Sequence, residues 1–128
     1  MVLVDSSVWT DYLSPRASQV AAKLETLIRP NNEIIITGII FQEILQGIRN
    51  IRSYRLTQQL LQRLPFVIPS VNTHLKAAEI FRELSSKGKI PSTVDALIAA
   101  LAIENKIPLF TLDADFCLIQ QYSALKLF

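Results

Sequence analysis

Residues 2–13 read VLVDSSVWTDYL. In this stretch Asp5 stands between a continuous apolar run and a segment with helical spacing of its apolar residues. Three consecutive apolar residues before Asp5 predict a short buried strand. Residues 6–13 predict a helix that ends before Pro15, because proline cannot continue a helix. Asp5 is therefore expected at the junction of a buried strand and the helix that follows it.

The rest of the chain repeats this alternation of short apolar runs and helical stripes. Further strands are predicted at residues 34–36, 66–68 and 108–110, with a fifth at 125–128. Helices are predicted at 17–28, from 37 or 38 onward, at 52–64 and at 113–121, with a turn at 30–32. Two more helices are predicted after N-caps: one begins at Asn72 or Thr73 and ends at 87, and the other begins at Ser92 and ends at 103. This order predicts an α/β class: a three-layer sandwich with a central parallel sheet of four to five short strands flanked by helices.

Length and composition limit the classes of protein that fit. A chain of 128 residues, half of them apolar, predicts one domain over 1–128 with a single core. The longest apolar run, residues 96–103, is far shorter than the roughly 20 residues of a membrane span, and no signal-peptide core follows Met1. We therefore expect a cytoplasmic protein without membrane contact. With one cysteine and one histidine, any bound metal must be held by oxygen ligands.

Three acids follow predicted strands directly. Asp5 follows the first strand, and Asp113 and Asp115 follow the strand at 108–110. In open α/β sheets the binding crevice lies beyond the carboxyl ends of the strands, so these side chains are candidate ligands or catalytic groups. The alternative is that they cap the helices that come next, since aspartate is a preferred N-cap residue.

Two further acids accompany apolar helices. Asp95 precedes the apolar residues 96–103, where an unpaired carboxylate is costly, although Ser92 and Asp95 also have the spacing of a capping box. Glu43 lies too far inside its helix to cap it and has isoleucine neighbours, although exposure to water on a polar face is the alternative. Gly47, one turn later, leaves room beside that carboxylate.

Four separated segments that bring acids together predict a bound cation. Like charges raise the pKa of neighbouring carboxylates unless a cation neutralises them. Carboxylate ligands without Cys or His favour Mg²⁺ or Mn²⁺. Setting the five acids aside leaves thirteen basic against six acidic residues, a net charge of +7 on the remaining surface, which suits an anionic polymer.

Four motifs in this order resemble the PIN-domain ribonucleases, specifically the VapC toxins of type II toxin–antitoxin pairs. They are VDSSVW (4–9), FQEILQG (41–47), DALIAA (95–100) and TLDADF (111–116), and the resemblance covers essentially the whole chain. It implies that Asp5, Glu43, Asp95 and one or both of Asp113 and Asp115 form a catalytic metal site. Asp113 is favoured as the main ligand because it is nearer the strand end, and Asp115 is expected as a second ligand. The hydroxyls of Ser6 and Thr111 are expected to brace this site.

The resemblance implies a Mg²⁺-dependent endoribonuclease that hydrolyses structured RNA with a metal-activated water. It also implies a homodimer and a small cognate antitoxin protein. A lone His74 cannot provide the acid and base of a metal-free ribonuclease. Arg49, Arg52 and Arg55 recur every three residues and are candidate RNA contacts along one side of a helix, unless they form an ordinary solvated face.

The alternative is a non-enzymatic, receiver-like binding module with an acidic metal pocket. Receiver domains require paired acids after the first strand, where this chain has Ser6 and Ser7 after Asp5. They also require an acceptor aspartate after the third strand, where Pro69 and Ser70 stand instead. The sequence leaves open the RNA target, the cleavage site and the number of ions.

Overall fold

A computed structural model describes residues 1–29 and 33–128, so the predicted turn at residues 30–32 lies outside the described residues. Three strands and seven helices are described in this part of the chain. In chain order they are β1 (Val2–Val4), α1 (Ser6–Leu13), α2 (Gln19–Ile28), β2 (Ile34–Ile35), α3 (Gly38–Gln46), α4 (Ile51–Leu61), α5 (Val71–Ser86), α6 (Thr93–Glu104), β3 (Leu109–Phe110) and α7 (Asp115–Gln121).

The sheet is parallel, with strand order β2-β1-β3. Leu3 of the central strand is paired with Ile35 on one side and Leu109 on the other. All three residues of β1 are buried, which explains the uninterrupted apolar run that predicted this strand. Because the three strands run in the same direction, the segments that follow them leave the sheet at one edge.

The expected four to five strands are too many. Residues 66–68 contribute a single bridge, Phe66 to Ile36, and residues 125–128 another, Leu127 to Leu109. Pro65 and Pro69 flank the first of these segments and have no N–H to donate, so a ladder cannot extend through them. The α/β class with a parallel sheet and flanking helices is confirmed, with three strands in the described residues.

Local capping sets where two helices begin. Ser70, rather than Asn72 or Thr73, is the N-cap of α5: its hydroxyl accepts from the Thr73 N–H at 3.3 Å, and the Thr73 hydroxyl accepts from the Ser70 N–H at 2.9 Å. This capping box places the helix start directly after Pro69. Ser92 caps α6 as predicted, accepting from the Asp95 N–H at 3.0 Å.

Helix α6 is the central helix of the core. Six of its residues are buried, namely Ala96, Ile98, Ala99, Ala100, Leu101 and Ala102. Burial around most of its circumference explains why the sequence shows no polar face there. In residues 1–29 and 33–128, no helix is both long and apolar enough to cross a membrane.

Truncating Ile98 should show how much this helix contributes to stability. Ile98 is 1% exposed, and we expect Ile98→Ala to lower the free energy of unfolding by about 2–5 kcal/mol through lost burial and a residual cavity. Ile90, which is 79% exposed, offers the same substitution as a control, with an expected change within about 0.5 kcal/mol. Urea unfolding followed by circular dichroism measures both. Equal losses would contradict a core centred on α6.

Candidate metal centre at the carboxyl edge of the sheet

Asp5 is held by hydroxyl groups rather than by the helix that it precedes. It is the N-cap residue of α1, but its side chain makes no capping bond. Its Oδ2 atom accepts hydrogen bonds from the hydroxyls of Ser7 and Thr111, both at 2.8 Å. Asp5 is 5% exposed, and its N–H donates to the carbonyl of Phe110 at 2.9 Å. The capping hypothesis is therefore wrong for this side chain.

The hydroxyls of Ser7 and Thr111 join the first and last segments of the site. The two oxygens lie 3.3 Å apart, and the Ser7 hydroxyl accepts from the Leu112 N–H at 3.0 Å. The Thr111 hydroxyl also accepts from the Asp113 N–H at 3.0 Å. This network fixes the loop after β3 relative to the loop after β1.

The hydroxyl that braces Asp5 from α1 belongs to Ser7 rather than to the predicted Ser6. Within the described residues, the Ser6 side chain makes no hydrogen bond, because Ser6 is the first residue of α1 and Ser7 is the residue whose hydroxyl reaches back to the carboxylate. A hydroxyl two residues after an aspartate is a common local partner, and that spacing was the available clue. Any role of Ser6 toward a bound ion stays a prediction.

Three carboxylates lie close together. Asp95, Asp113 and Asp115 each offer one oxygen, and these oxygens all lie within 4.8 Å of one another. Oδ1 of Asp113 accepts from the Asp115 N–H at 2.9 Å, so this residue also supports the start of α7. The N-cap of α7 is Ala114 rather than Asp113, so the capping hypothesis for Asp113 is wrong, although its carboxylate both accepts from the first turn and joins the cluster.

The environment of Asp95 disfavours its charged form. The pKa of Asp95 is raised to about 6. Partial burial is the largest cause, the neighbouring Asp113, Asp5 and Asp115 act in the same direction, and a hydrogen bond with Ser92 opposes the shift. The side-chain cap of α6 comes from Ser92, and a nearby positive charge would favour the ionised form of Asp95.

Glu43 faces the same cluster from α3. Burial is the main cause that raises its pKa, followed by the charges of Asp5 and Asp95. Its Oε1 atom is buried and has no hydrogen-bond partner among residues 1–29 and 33–128. An unsatisfied carboxylate oxygen in this position is costly unless a ligand completes it.

These donors suit a hard divalent cation. All are carboxylate oxygens, one is buried without a partner, and the groups repel one another in the absence of a positive charge. Mg²⁺ and Mn²⁺ take such ligands, and Mg²⁺ usually retains waters alongside one or two carboxylates. The residues that can hold such an ion are Asp95, Asp113 and Asp115, with Asp5 and Glu43 next to them.

The three candidate arginines do not share one helix. α4 begins at Ile51, so Arg52 and Arg55 lie on it, whereas Arg49 lies in the connection after α3. Asn50 caps α4 by accepting from the Ser53 N–H at 3.0 Å, and this cap places the helix start after Arg49. All three arginines are exposed, and none forms a salt bridge with a residue in the described ranges.

The chain resembles known proteins over nearly its full length. The PIN domain family model matches residues 2–121. The chain is 30% identical over 129 residues to VapC ribonuclease Mb1587 of Mycobacterium bovis and to ribonuclease VapC11 of Mycobacterium tuberculosis, covering 98% of this chain and 96% of each relative. This match shows that the alternative hypothesis of a receiver-like module is wrong.

Solved structures share the fold at lower identity. FitAcB from Neisseria gonorrhoeae aligns with a TM-score of 0.81 at 21% identity, covering 100% of this chain and 96% of that one. VapBC2 from Rickettsia felis, bound to a DNA fragment from its promoter, aligns with a TM-score of 0.80 at 22% identity, covering 100% and 98%. The α/β fold of this chain is therefore one already seen in solved structures.

Replacing Asp95 should change stability in a pH-dependent way. Its pKa is raised when folded, so the metal-free folded chain loses stability as pH rises from 3.8 towards about 6. We expect Asp95→Asn to have a higher Tm than the wild type at pH 7.5 in EDTA, and the difference to shrink by pH 4. Glu79→Gln, at an exposed acid of α5, is the control and should change little at either pH. A lower Tm of Asp95→Asn at pH 7.5 would instead indicate a capping role.

The two adjacent serines provide a matched test of the brace on Asp5. We expect Ser7→Ala to weaken Mn²⁺ binding about 10- to 100-fold, the usual effect of losing a hydrogen bond to a ligand, because Oδ2 of Asp5 loses a donor. Ser6→Ala should leave the affinity unchanged. Isothermal titration calorimetry measures both values. The opposite ranking of the two variants would contradict this geometry.

Proposed function

The chain belongs to the PIN domain family, and from that premise we propose that it is a Mg²⁺-dependent endoribonuclease, the toxin of a VapBC-type toxin–antitoxin pair. Its substrate is structured RNA, whose phosphodiester bonds it hydrolyses. One observation carries the proposal: oxygens of Asp95, Asp113 and Asp115 lie within 4.8 Å of one another. The Oε1 atom of Glu43, which is buried without a hydrogen-bond partner in the described residues, supports it. Burial, and then the charges of Asp5 and Asp95, raise the pKa of Glu43.

The residues of the site are suited to different parts of this reaction. Asp95, Asp113 and Asp115 would hold a Mg²⁺ ion, and Asp5 is fixed beside them by hydrogen bonds from Ser7 and Thr111. When bound, the ion would supply activation of a water and neutralisation of charge on the phosphate. Glu43, with its raised pKa, is suited to exchange a proton at its unpartnered oxygen once substrate is bound.

The exposed arginines are suited to hold the RNA backbone. Arg52 and Arg55 lie on α4, and Arg49 precedes it, so together they present exposed positive charge in the segment that follows α3. Phosphate contacts of this kind position a substrate without selecting its sequence. The RNA target therefore depends on other contacts.

The partners follow from the same premise. Solved structures that share this fold include VapBC and FitAB toxin–antitoxin complexes, which supports a small antitoxin protein as partner of this chain. A homodimer and a cytoplasmic location remain predictions. For the homodimer, the exposed apolar side chains of Val71 and Leu75 on α5 are the first positions to substitute while the mass in solution is measured.

Substituting Glu43 tests this function directly. We expect Glu43→Gln and Asp95→Asn to lower the rate of RNA cleavage in Mg²⁺ by at least about 100-fold, more than the usual loss from a residue that only supports a ligand. The wild type should also gain Tm on adding Mg²⁺, by binding to the folded state, and Asp95→Asn should gain less. Glu79→Gln should behave as the wild type in both assays. Cleavage by Glu43→Gln at the wild-type rate would contradict the proposed site.

A further inference from the structure

A cleft lies between α1 and α3 and reaches Glu43. Its volume is about 280 Å³. Thr10, Leu13 and Ser14 line one wall, Ile44, Gly47 and Ile48 line the other, and Glu43 lines it as well. The cleft thus shares one residue with the candidate metal centre.

The absence of a side chain at Gly47 keeps this cleft open. Its φ of −83° is accessible to any residue, so the backbone does not require glycine. A Cβ atom there would lie 3.6 Å from the carbonyl oxygens of Glu43 and Ile44, an ordinary contact, so packing does not require glycine either. Because Glu43 and Gly47 are one helical turn apart, a larger side chain at Gly47 would project into the space beside the carboxylate.

The lining suits a flat heterocycle. Leu13 and Ile48 present apolar surface from opposite walls, which can sandwich the face of a ring. The Thr10 hydroxyl makes no hydrogen bond with a residue in the described ranges, and it is exposed, so it can pair with the ring edge. A small apolar pocket with a few polar groups is the usual form of a binding site for such a molecule.

The basic residue after the cleft favours a nucleotide over a peptide. Arg49 directly follows Ile48, is exposed, and has no salt-bridge partner in residues 1–29 and 33–128. A phosphodiester chain that runs from the carboxylates past the cleft would meet this guanidinium. Sequence-specific recognition of RNA mostly targets unstacked bases of single-stranded loops, bulges and ends.

We propose that the cleft between α1 and α3 binds one unstacked base of the RNA next to the cleaved phosphodiester. This inference rests on the proposed ribonuclease function and adds a specificity site to it. Gly47 provides the space, and Thr10 reads the edge of the base.

The test combines a size series at Gly47 with RNA that lacks single bases. The substrate is a short oligonucleotide that spans a cleavage site mapped on bacterial RNA, with one nucleotide at a time replaced by an abasic sugar. For the wild type, we expect loss of one particular base beside the cut to raise KM about tenfold, as expected for losing the contacts of one stacked base. Gly47→Leu should raise KM for the intact RNA to a similar extent and leave KM for that abasic RNA unchanged, whereas Gly47→Ala should cause a smaller rise.

Each outcome decides the proposal. The rise in Tm on adding Mg²⁺ should be the same in Gly47→Ala, Gly47→Leu and the wild type, which shows that the fold and the metal site are intact. Equal cleavage of all abasic RNAs by an active wild type would overturn the base site alone. If Gly47→Leu keeps normal RNA kinetics but escapes inhibition by the antitoxin, the cleft binds a protein segment and the proposal is wrong. A wild type that cleaves no RNA in Mg²⁺ would overturn the proposed function and the base site with it.

Discussion

Parallel pairing of β1 with β2 on one side and β3 on the other determines where the acids of this protein meet. All three strands end at the same edge, so Asp5 after β1, the helix after β2 and the loop after β3 leave the sheet together. α6 adds Asp95 from its first turn. Four chain segments therefore converge at this edge, although their acids are up to 110 residues apart in the sequence.

This convergence imposes an electrostatic cost that the fold offsets only in part. Asp5 receives two hydroxyl donors, which stabilise a buried charge. Asp95 and Glu43 receive less hydrogen-bond support than Asp5. Burial and neighbouring charges raise the pKa of both, and Glu43 has an oxygen without a hydrogen-bond partner in the described residues. The buried residues of α6 and β1 provide the apolar core on which this unfavourable edge is built. A bound cation would offset this repulsion.

The sequence predicted those features that depend on local pattern. The end of the first predicted strand indicated Asp5 as a site residue, and the cap at Ser92 indicated the start of α6. The isoleucines around Glu43 distinguished it from surface glutamates. Some features that depend on distant contacts were missed. Ser7 meets Thr111, 104 residues away, which no local pattern indicates. Strand-like residues at 66–68 form only one bridge, because whether a segment extends a sheet depends on its neighbours and on the prolines beside it.

The position of the ion is the most direct test of this account. A crystal grown with Mn²⁺ and measured at the manganese absorption edge should show an anomalous peak among the carboxylates of Asp95, Asp113 and Asp115, on the side that faces Asp5 and Glu43. The same peak should be absent from crystals of Asp95→Asn. A fully ordered site without an anomalous peak, or a peak only at a distant surface carboxylate, would contradict the claim that these acids gather to hold a divalent cation.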